Sequence, residues 1–449
     1  MKKISSSLLD KKIAVFGLGE SGLSVVKLLH KLSLNFFVVS AGKKESWKNF
    51  DLIQKFVSRD NCFAEDEASF NNADLIILSP GIPLTHKLLK GFNLDHIWSE
   101  IELAATFCDV PIIAITGTNG KTTTTMMVDQ LLKTAKIKVF TGGNIGTPFC
   151  EYVFQDSDAQ MVVLELSSFQ LESIKTFHPK IALILNIERA HEERYQNKEE
   201  YALSKFNIMK NMTKTDVLIL PRGDSYIADF VSKNNKKSVE TILVSEKDLP
   251  SFNFDKFSMV GKHNYLNLTF TWIVAQKLNI SKEIFQKFID SFEGPHYRIE
   301  PILLTKTVKV FNDSKSTNFF STVTAIHSLK AQYQEPIELI LGGKLRSLNS
   351  TDKESKAELE TIVKSVSKIY LYGESRNWLK SQIEQLNISC EVTIEETLDN
   401  VVNKFKAQKK ESVVLLFSPA FPSFDLYKNY EERGAHFTKL VQTLLINGK

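Results

Sequence analysis

The stretch VPIIAITGTNGKTTTT, residues 110–125, constrains this chain more than any other. An apolar run ends in Gly117-Thr-Asn-Gly120 and a threonine-rich segment follows at once. The pattern predicts a buried strand, a glycine turn and a helix, the opening of a parallel α/β unit. Glycines let backbone N–H groups converge on phosphate oxygens, and the helix adds the positive end of its dipole. The usual phosphate loop has four residues between its last two glycines. Here only Thr118 and Asn119 stand between Gly117 and Gly120. Lys121 offers a mobile cation for β- and γ-phosphates, and Thr122 stands where a loop hydroxyl binds Mg²⁺.

The same grammar recurs along the chain. IAVFGLGESGLSVVKLL reads as a strand, the turn Gly17-Leu-Gly19-Glu-Ser-Gly22 and a helix. FFVVS at 36–40 and ADLIILSPGIP at 73–83 supply further strands. A dinucleotide site would want an acid near the end of the second strand to hold the ribose. That strand ends in Ser40-Ala41-Gly42, which argues against NAD. The turn can accept another pyrophosphate, or serve only close strand–helix packing. A second unit starts near Asp109, with strands predicted at 110–116, 138–141, 161–166 and 181–187 and a polar loop at Asn234–Ser238. Gly294-Pro-His-Tyr-Arg298 marks its end, and a third unit carries strands at 308–314, 337–343, 368–373 and 412–420.

Length agrees with this division, since 449 residues exceed one ordinary core. A hydrophobic content of 43% and a net charge of +4 suit a globular protein and give no support to nucleic-acid binding. Cys62, Cys108, Cys150 and Cys390 have no CxxC spacing, so neither a disulfide framework nor a zinc site is expected. Charged residues interrupt every apolar run before the ~18 residues of a membrane span, and a cytoplasmic, soluble protein is expected.

Chemistry-bearing residues cluster after predicted strand ends, where parallel sheets bind ligands. Glu165 ends the strand in LELSSFQLE, and its carboxylate suits Mg²⁺, a hard ion that takes oxygen ligands. His191 closes Asn186-Ile-Glu-Arg-Ala-His191. Asp313 and Lys315 lie in NDSKSTN, and SPAFPSFD at 418–425 offers hydroxyls for a small polar substrate. Their shared position suggests an interdomain cleft. By residue type alone, Lys205 in YALSKFNIM reads as a surface helix residue.

The chain resembles the Mur ligases over essentially its whole length. GTNGKTT at 117–123, GGNIG at 142–146, LELSSFQLE at 164–172, KHNYLN at 262–267, PHYRIE at 295–300 and NDSKSTN at 312–318 carry the likeness. SPGIP at 79–83 and SPAFPSFDLYKNYEERG at 418–434 point to the branch that adds D-glutamate to UDP-N-acetylmuramoyl-L-alanine. The resemblance implies a three-domain α/β protein. Residues 1–104 would form a Rossmann-like UDP-binding domain and 105–297 a P-loop-type ATPase domain with a mostly parallel sheet. Residues 298–449 would form a Rossmann-like amino-acid-binding domain. It implies a monomer that uses ATP and Mg²⁺, with two ions expected, and no nucleic acid or membrane partner. A sibling ligase or a folylpolyglutamate synthase shares the central domain. The Asp-Asn-Pro-Arg motif of the diamino-acid-adding siblings is absent, and a UDP-binding first domain fits folate poorly. An NAD-dependent oxidoreductase would leave GTNGKTT unexplained, and a non-catalytic nucleotide-binding protein would leave the metal-ligand candidates unexplained.

By resemblance, Gly117, Thr118, Asn119, Gly120, Lys121, Thr122 and Thr123 cradle ATP, Asn264 and Asn267 approach its adenine side, and Arg298, Asp313 and Lys315 act on the nucleotide or the moving phosphoryl group. Thr122 and Glu165 bind one Mg²⁺, and His191 and a carbamylated Lys205 a second. Gly17, Gly19, Gly22, Ser40, Ser79, Pro80 and Gly81 hold UDP, and Asn144, Ser167 and Gln170 face the muramoyl-alanine end. Thr317, Ser423 and Tyr430 line the D-glutamate pocket. LGGKLRS offers Lys344 or Arg346 as its basic residue, with spacing after the two glycines favouring Arg346. The chain departs from the family at Ala190 and Glu193, where Asp is usual, at Ser40, where many relatives are acidic, and at Tyr430, which replaces Phe.

Overall fold

The computed structural model describes residues 6–47, 50–68, 70–188, 191, 194–234, 239–257, 259, 262–345, 353–408 and 412–446. Arg346, Ala190, Glu193 and positions 235–238 of the predicted polar loop lie outside the described residues. The chain forms two compact units. One holds residues 1–254 with 265–290, the other 255–264 with 291–449.

The first unit contains two parallel sheets. In one, β1 (Ile13–Phe16), β2 (Phe36–Ser40), β3 (Cys62–Ala64), β4 (Leu75–Leu78) and β5 (Ile97–Ser99) lie in the order β3-β2-β1-β4-β5. In the other, β6 (Ile112–Thr116), β7 (Val139–Gly143), β8 (Met161–Glu165), β9 (Ile181–Ile184), β10 (Val217–Pro221) and β11 (Glu240–Val244) lie in the order β11-β10-β9-β6-β8-β7. The strands β1, β4, β6, β8 and β9 are buried along their whole length, as continuous apolar runs between two helical layers require.

Strand order reverses beside β1 in the first sheet and beside β6 in the second. Crevices open at such switch points beyond the carboxyl ends of the strands. One buried apolar cluster runs through both sheets, from Val15 and Leu28 to Leu164, Ile184 and Leu220. Helix Glu100–Ala105 joins them. Glu102 within it is fully buried, and its carboxylate accepts from the backbone N–H groups of Lys175, Thr176 and Phe177. Lys27 and Lys31, on helix Glu20–Lys31, bind Glu151 and Asp156 beneath the second sheet.

The second unit holds β12 (Glu300–Leu304), β13 (Val308–Asn312), β14 (Ile337–Gly342), β15 (Lys368–Tyr372), β16 (Glu391–Ile394) and β17 (Val413–Ala420), in the order β12-β13-β17-β14-β15-β16. Only the edge strand β12 is antiparallel. All four cysteines are free thiols. No helix among the described residues is long and apolar enough to cross a membrane.

Candidate active site

After β6 the chain turns through Gly117 at φ +156° and Gly120 at φ +80° before helix Lys121–Thr134 begins. A side chain at Gly120 would meet Asn267 Oδ1 at 2.8 Å. Asn267, expected toward adenine, is thus buried against the phosphate loop itself. Lys121 Nζ donates to the carbonyls of Gly117 and Thr118 at 2.8 and 2.9 Å. Lys205 Nζ reaches the same Gly117 oxygen at 3.0 Å. Two lysine amino groups therefore converge on one carbonyl.

Lys205 is 1% exposed, so the reading of a surface lysine by residue type is corrected. It lies on the inner face of helix Lys198–Phe206, packed over the Tyr201 ring at 4.5 Å. Burial, and next the charge of Lys121, push its ammonium down to about 6, with Glu165 opposing. A buried lysine with this environment is largely an uncharged amine at neutral pH.

Glu165 ends β8 and is 1% exposed. Asn144 Nδ2 donates to its Oε1 at 2.8 Å, while its Oε2 is buried without a hydrogen-bond partner. A buried orphan carboxylate oxygen is costly unless a cation meets it. That donor, with the half-buried Thr122 on the first turn of the loop helix, fits one hard divalent ion. His191 has φ +59°, is exposed, and sets its ring against Phe169 and Tyr201. His191 and Lys205 thus flank the same tyrosine. No group of three or more His, Cys, Asp or Glu suited to a metal occurs among the described residues.

Ser167 and Gln170 cap each other at the start of helix Ser168–Leu171, which gives both a local structural task. Asn144 is fixed twice to Glu165, by its side chain and by its N–H on the Glu165 carbonyl.

At the switch point of the first sheet, Gly17 has φ +95° and Ser79 Oγ donates to its carbonyl at 2.9 Å. A Cβ on Gly22 would lie 1.9 Å from Gly17 O, so no larger residue fits. Gly19 caps helix Glu20–Lys31, and nothing lies within 4 Å of the Cβ position of Gly19 or Gly81, which leaves room for a ligand. Ser40, at the end of β2, accepts from Glu65 N. Pro80 O faces Arg194 Nη1 at 3.4 Å, and Arg194 also pairs with Glu172.

In the second unit, Asp313 follows β13 and is buried. Ser418 Oγ, Ser316 Oγ and Ile299 N–H donate to it. Burial nevertheless raises its carboxyl to about 6, against those donors and the Arg298 charge. Lys315 Nζ donates to Tyr430 Oη at 2.6 Å. Ser423 is buried, Thr317 half-buried, and Lys344 pairs with Glu374 in solvent. Asn264 is buried on the same unit.

Sequence reasoning assigned no role to several residues that shape these sites. Tyr201 Oη meets Thr118 Oγ1, and Asn186 and Glu188 brace the loop. Fully buried Arg433 donates to Ser314 O and Oγ and to Phe421 O, tying together the segments after β13 and β17. Asn186 and Glu188 lay within a quoted strand-end segment. Arg433 lies within the segment 418–434 but was given no role there, because a buried arginine cannot be told from a surface one by type.

The chain matches the Mur ligase middle domain over residues 115–281 and the Mur ligase MurD-like N-terminal domain over residues 11–97. It belongs to the Mur ligase family. A relative from Lawsonia intracellularis, 34% identical over 440 residues covering 97% of this chain and 94% of the relative, bears the name UDP-N-acetylmuramoylalanine–D-glutamate ligase. One from Oenococcus oeni bears the same name at 32% identity, with 96% and 97% covered. The fold is shared with a MurF ligase from Thermotoga maritima solved in complex with ADP, at a TM-score of 0.60 and 16% identity over 98% of this chain and 100% of that one.

Proposed function

We infer that this chain is an ATP-dependent ligase that joins D-glutamate to UDP-N-acetylmuramoyl-L-alanine in the synthesis of peptidoglycan precursors. The full-length likeness to ligases of that name supports it. The observation that carries it in the structure is the convergence of Lys121 and Lys205 on Gly117 O beside the half-satisfied Glu165.

A carboxylate is a poor acyl donor, because its leaving group would be oxide. The substrate carboxylate oxygen attacks the γ-phosphorus and ADP departs, leaving an acyl phosphate. The D-glutamate nitrogen then attacks the carbonyl carbon, and the tetrahedral adduct expels phosphate with the C–O electron pair. The amine proton passes to a base. Lys121 exchanges its two loop carbonyls for phosphate oxygens and follows the charge that develops there. Helix 121–134 presents its first-turn N–H groups to the same phosphates. Mg²⁺, held by Thr122 and Glu165, would neutralise phosphate charge. The uncharged Lys205 amine is the form that adds CO₂, and the resulting carbamate would share a further ion with His191. By resemblance, Arg298, Asp313 and Lys315 are assigned to the nucleotide or the moving phosphoryl group, and Thr317, Ser423, Tyr430 and either Lys344 or Arg346 to D-glutamate.

The reading assigns residues 1–104 to UDP, 105–297 to ATP and 298–449 to the amino acid, in a monomer working in the cytoplasm. Phosphate release from ATP should require both UDP-N-acetylmuramoyl-L-alanine and D-glutamate. Equal turnover with L-glutamate, or none with D-glutamate, would overturn it.

A further inference from the structure

The phosphate loop is two residues shorter between its glycines than the usual pattern, and its outer side is held by the segment after β9. Asn186 O accepts from Thr118 N at 3.1 Å. The Asn186 carboxamide then pairs with the main chain of Asn119 in both directions. Its Oδ1 accepts from Asn119 N at 2.8 Å, and its Nδ2 donates to Asn119 O at 3.1 Å. Glu188 adds a rim contact, accepting from Asn119 Nδ2 at 2.8 Å.

We propose that Asn186 is a positioning residue for nucleotide binding, acting as one extra rung of the sheet that carries the loop. β9 already pairs with β6 in register up to Thr116 and Ile184. Asn186 continues that pairing past the point where the backbones diverge, with a side-chain amide in place of a peptide. Two consequences follow from the donors it engages. The N–H groups of Thr118 and Asn119 are committed to Asn186, so phosphate is left to the first turn of helix 121–134 and to Lys121. The carbonyl of Gly117, which both lysines address, is held between two braced residues, and a Cβ on Gly117 would meet Leu185 Cβ at 3.0 Å and Asn186 N at 3.4 Å. Asn186 is half-buried, so its amide needs these partners less for solvation than for geometry.

The inference rests on the phosphate-loop reading, and its test is calorimetric titration of the full chain with ADP, which needs neither acceptor nor amino acid. Asn186→Ala removes two neutral hydrogen bonds and should weaken ADP about tenfold. In the steady state, KM for ATP should rise comparably while KM for the UDP-linked substrate stays within twofold. Asn186→Asp keeps the size and the acceptor but loses the donor, and should also weaken ADP; it carries the test should the alanine variant fail to fold. ADP affinity within twofold of the unaltered chain in either variant overturns the proposal. So does an equal rise in both KM values, which marks general disruption. Loss of D-glutamate dependence with ADP binding intact would sink the substrate reading and leave this one standing. Absence of ADP binding by the unaltered chain overturns both.

Discussion

At the end of β1, Gly22 is confined by contact, since a Cβ there would lie 1.9 Å from Gly17 O. At the end of β6, Gly120 is confined by conformation as well, with φ +80° and Asn267 2.8 Å from the Cβ position. Both turns follow a buried strand, open a helix and sit at the switch point of a parallel sheet. The first turn is made of backbone and one hydroxyl, Ser79, and the cation beside it, Arg194 at the Pro80 carbonyl, is paired with Glu172. The second brings Lys121, Lys205 and a buried carboxylate to the same few ångströms. A backbone cradle can hold a pyrophosphate without changing it. Moving a phosphoryl group needs charge that follows the reaction, and only the second turn supplies it.

The largest expected effect tests that contrast directly. Lys121→Ala should lower kcat by on the order of 10³, as loss of a charge-stabilising donor does, while the KM for the UDP-linked substrate changes little. A fall below tenfold would make the two turns alike in function. Lys205→Ala should be similarly damaging, and an unmodified mass for Lys205 in active enzyme would remove the carbamate from the account.

Next comes the helix that joins the two sheets. Glu100 is buried, its Oε1 accepts from Cys150 N, and its Oε2 has no hydrogen-bond partner. Burial raises its carboxyl from 4.5 to about 7. The folded state then binds the proton more tightly than the unfolded state. Stability from this group is complete below pH ~4.5 and is lost as pH rises through ~7, by about 3 kcal/mol. Glu100→Gln should flatten that slope in denaturant unfolding measured from pH 5 to 8. An unchanged slope would show that the joint between the sheets does not hold a neutral carboxyl.

Gly22→Ala should cost about 3 kcal/mol or more by overpacking against the Gly17 carbonyl and raise the KM for the UDP-linked substrate more than that for ATP. Equal changes in both would mean that the first turn is not a separate ligand site. The smallest effect concerns Ser167. Its role as a helix cap predicts that Ser167→Ala costs about 1 kcal/mol in unfolding; a KM effect without that loss would make it a substrate contact instead.

Legibility differed with the kind of residue. Buried strands such as VVLLF and IIAI announce themselves because both faces are apolar. The short strands β3 and β5, and the more exposed edges β11, β12 and β16, gave too little apolar pattern to name. β10, with its buried VLIL run, has the same apolar signature as the strands that the pattern does name. Thr118, Lys121 and Glu165 were visible because strand-end position and residue type coincide. Asn186, Tyr201 and Arg433 were not, since their tasks are contacts with residues 67 or more positions away, 83 away and up to 119 away.

By itself the sequence determined the alternation of apolar runs, glycine turns and helices. From that follow parallel sheets and the edge at which ligands bind, because handedness and strand twist leave few other ways to pack such units. Only the tertiary structure decided that, among the described lysines, Lys205 is buried beside the phosphate loop. Lys205 becomes unusual not through its neighbours in sequence but through burial against Tyr201 and its approach to a carbonyl that Lys121 also holds. Desolvation and like charge shift a lysine's proton affinity, and both depend on distances that the linear chain does not contain.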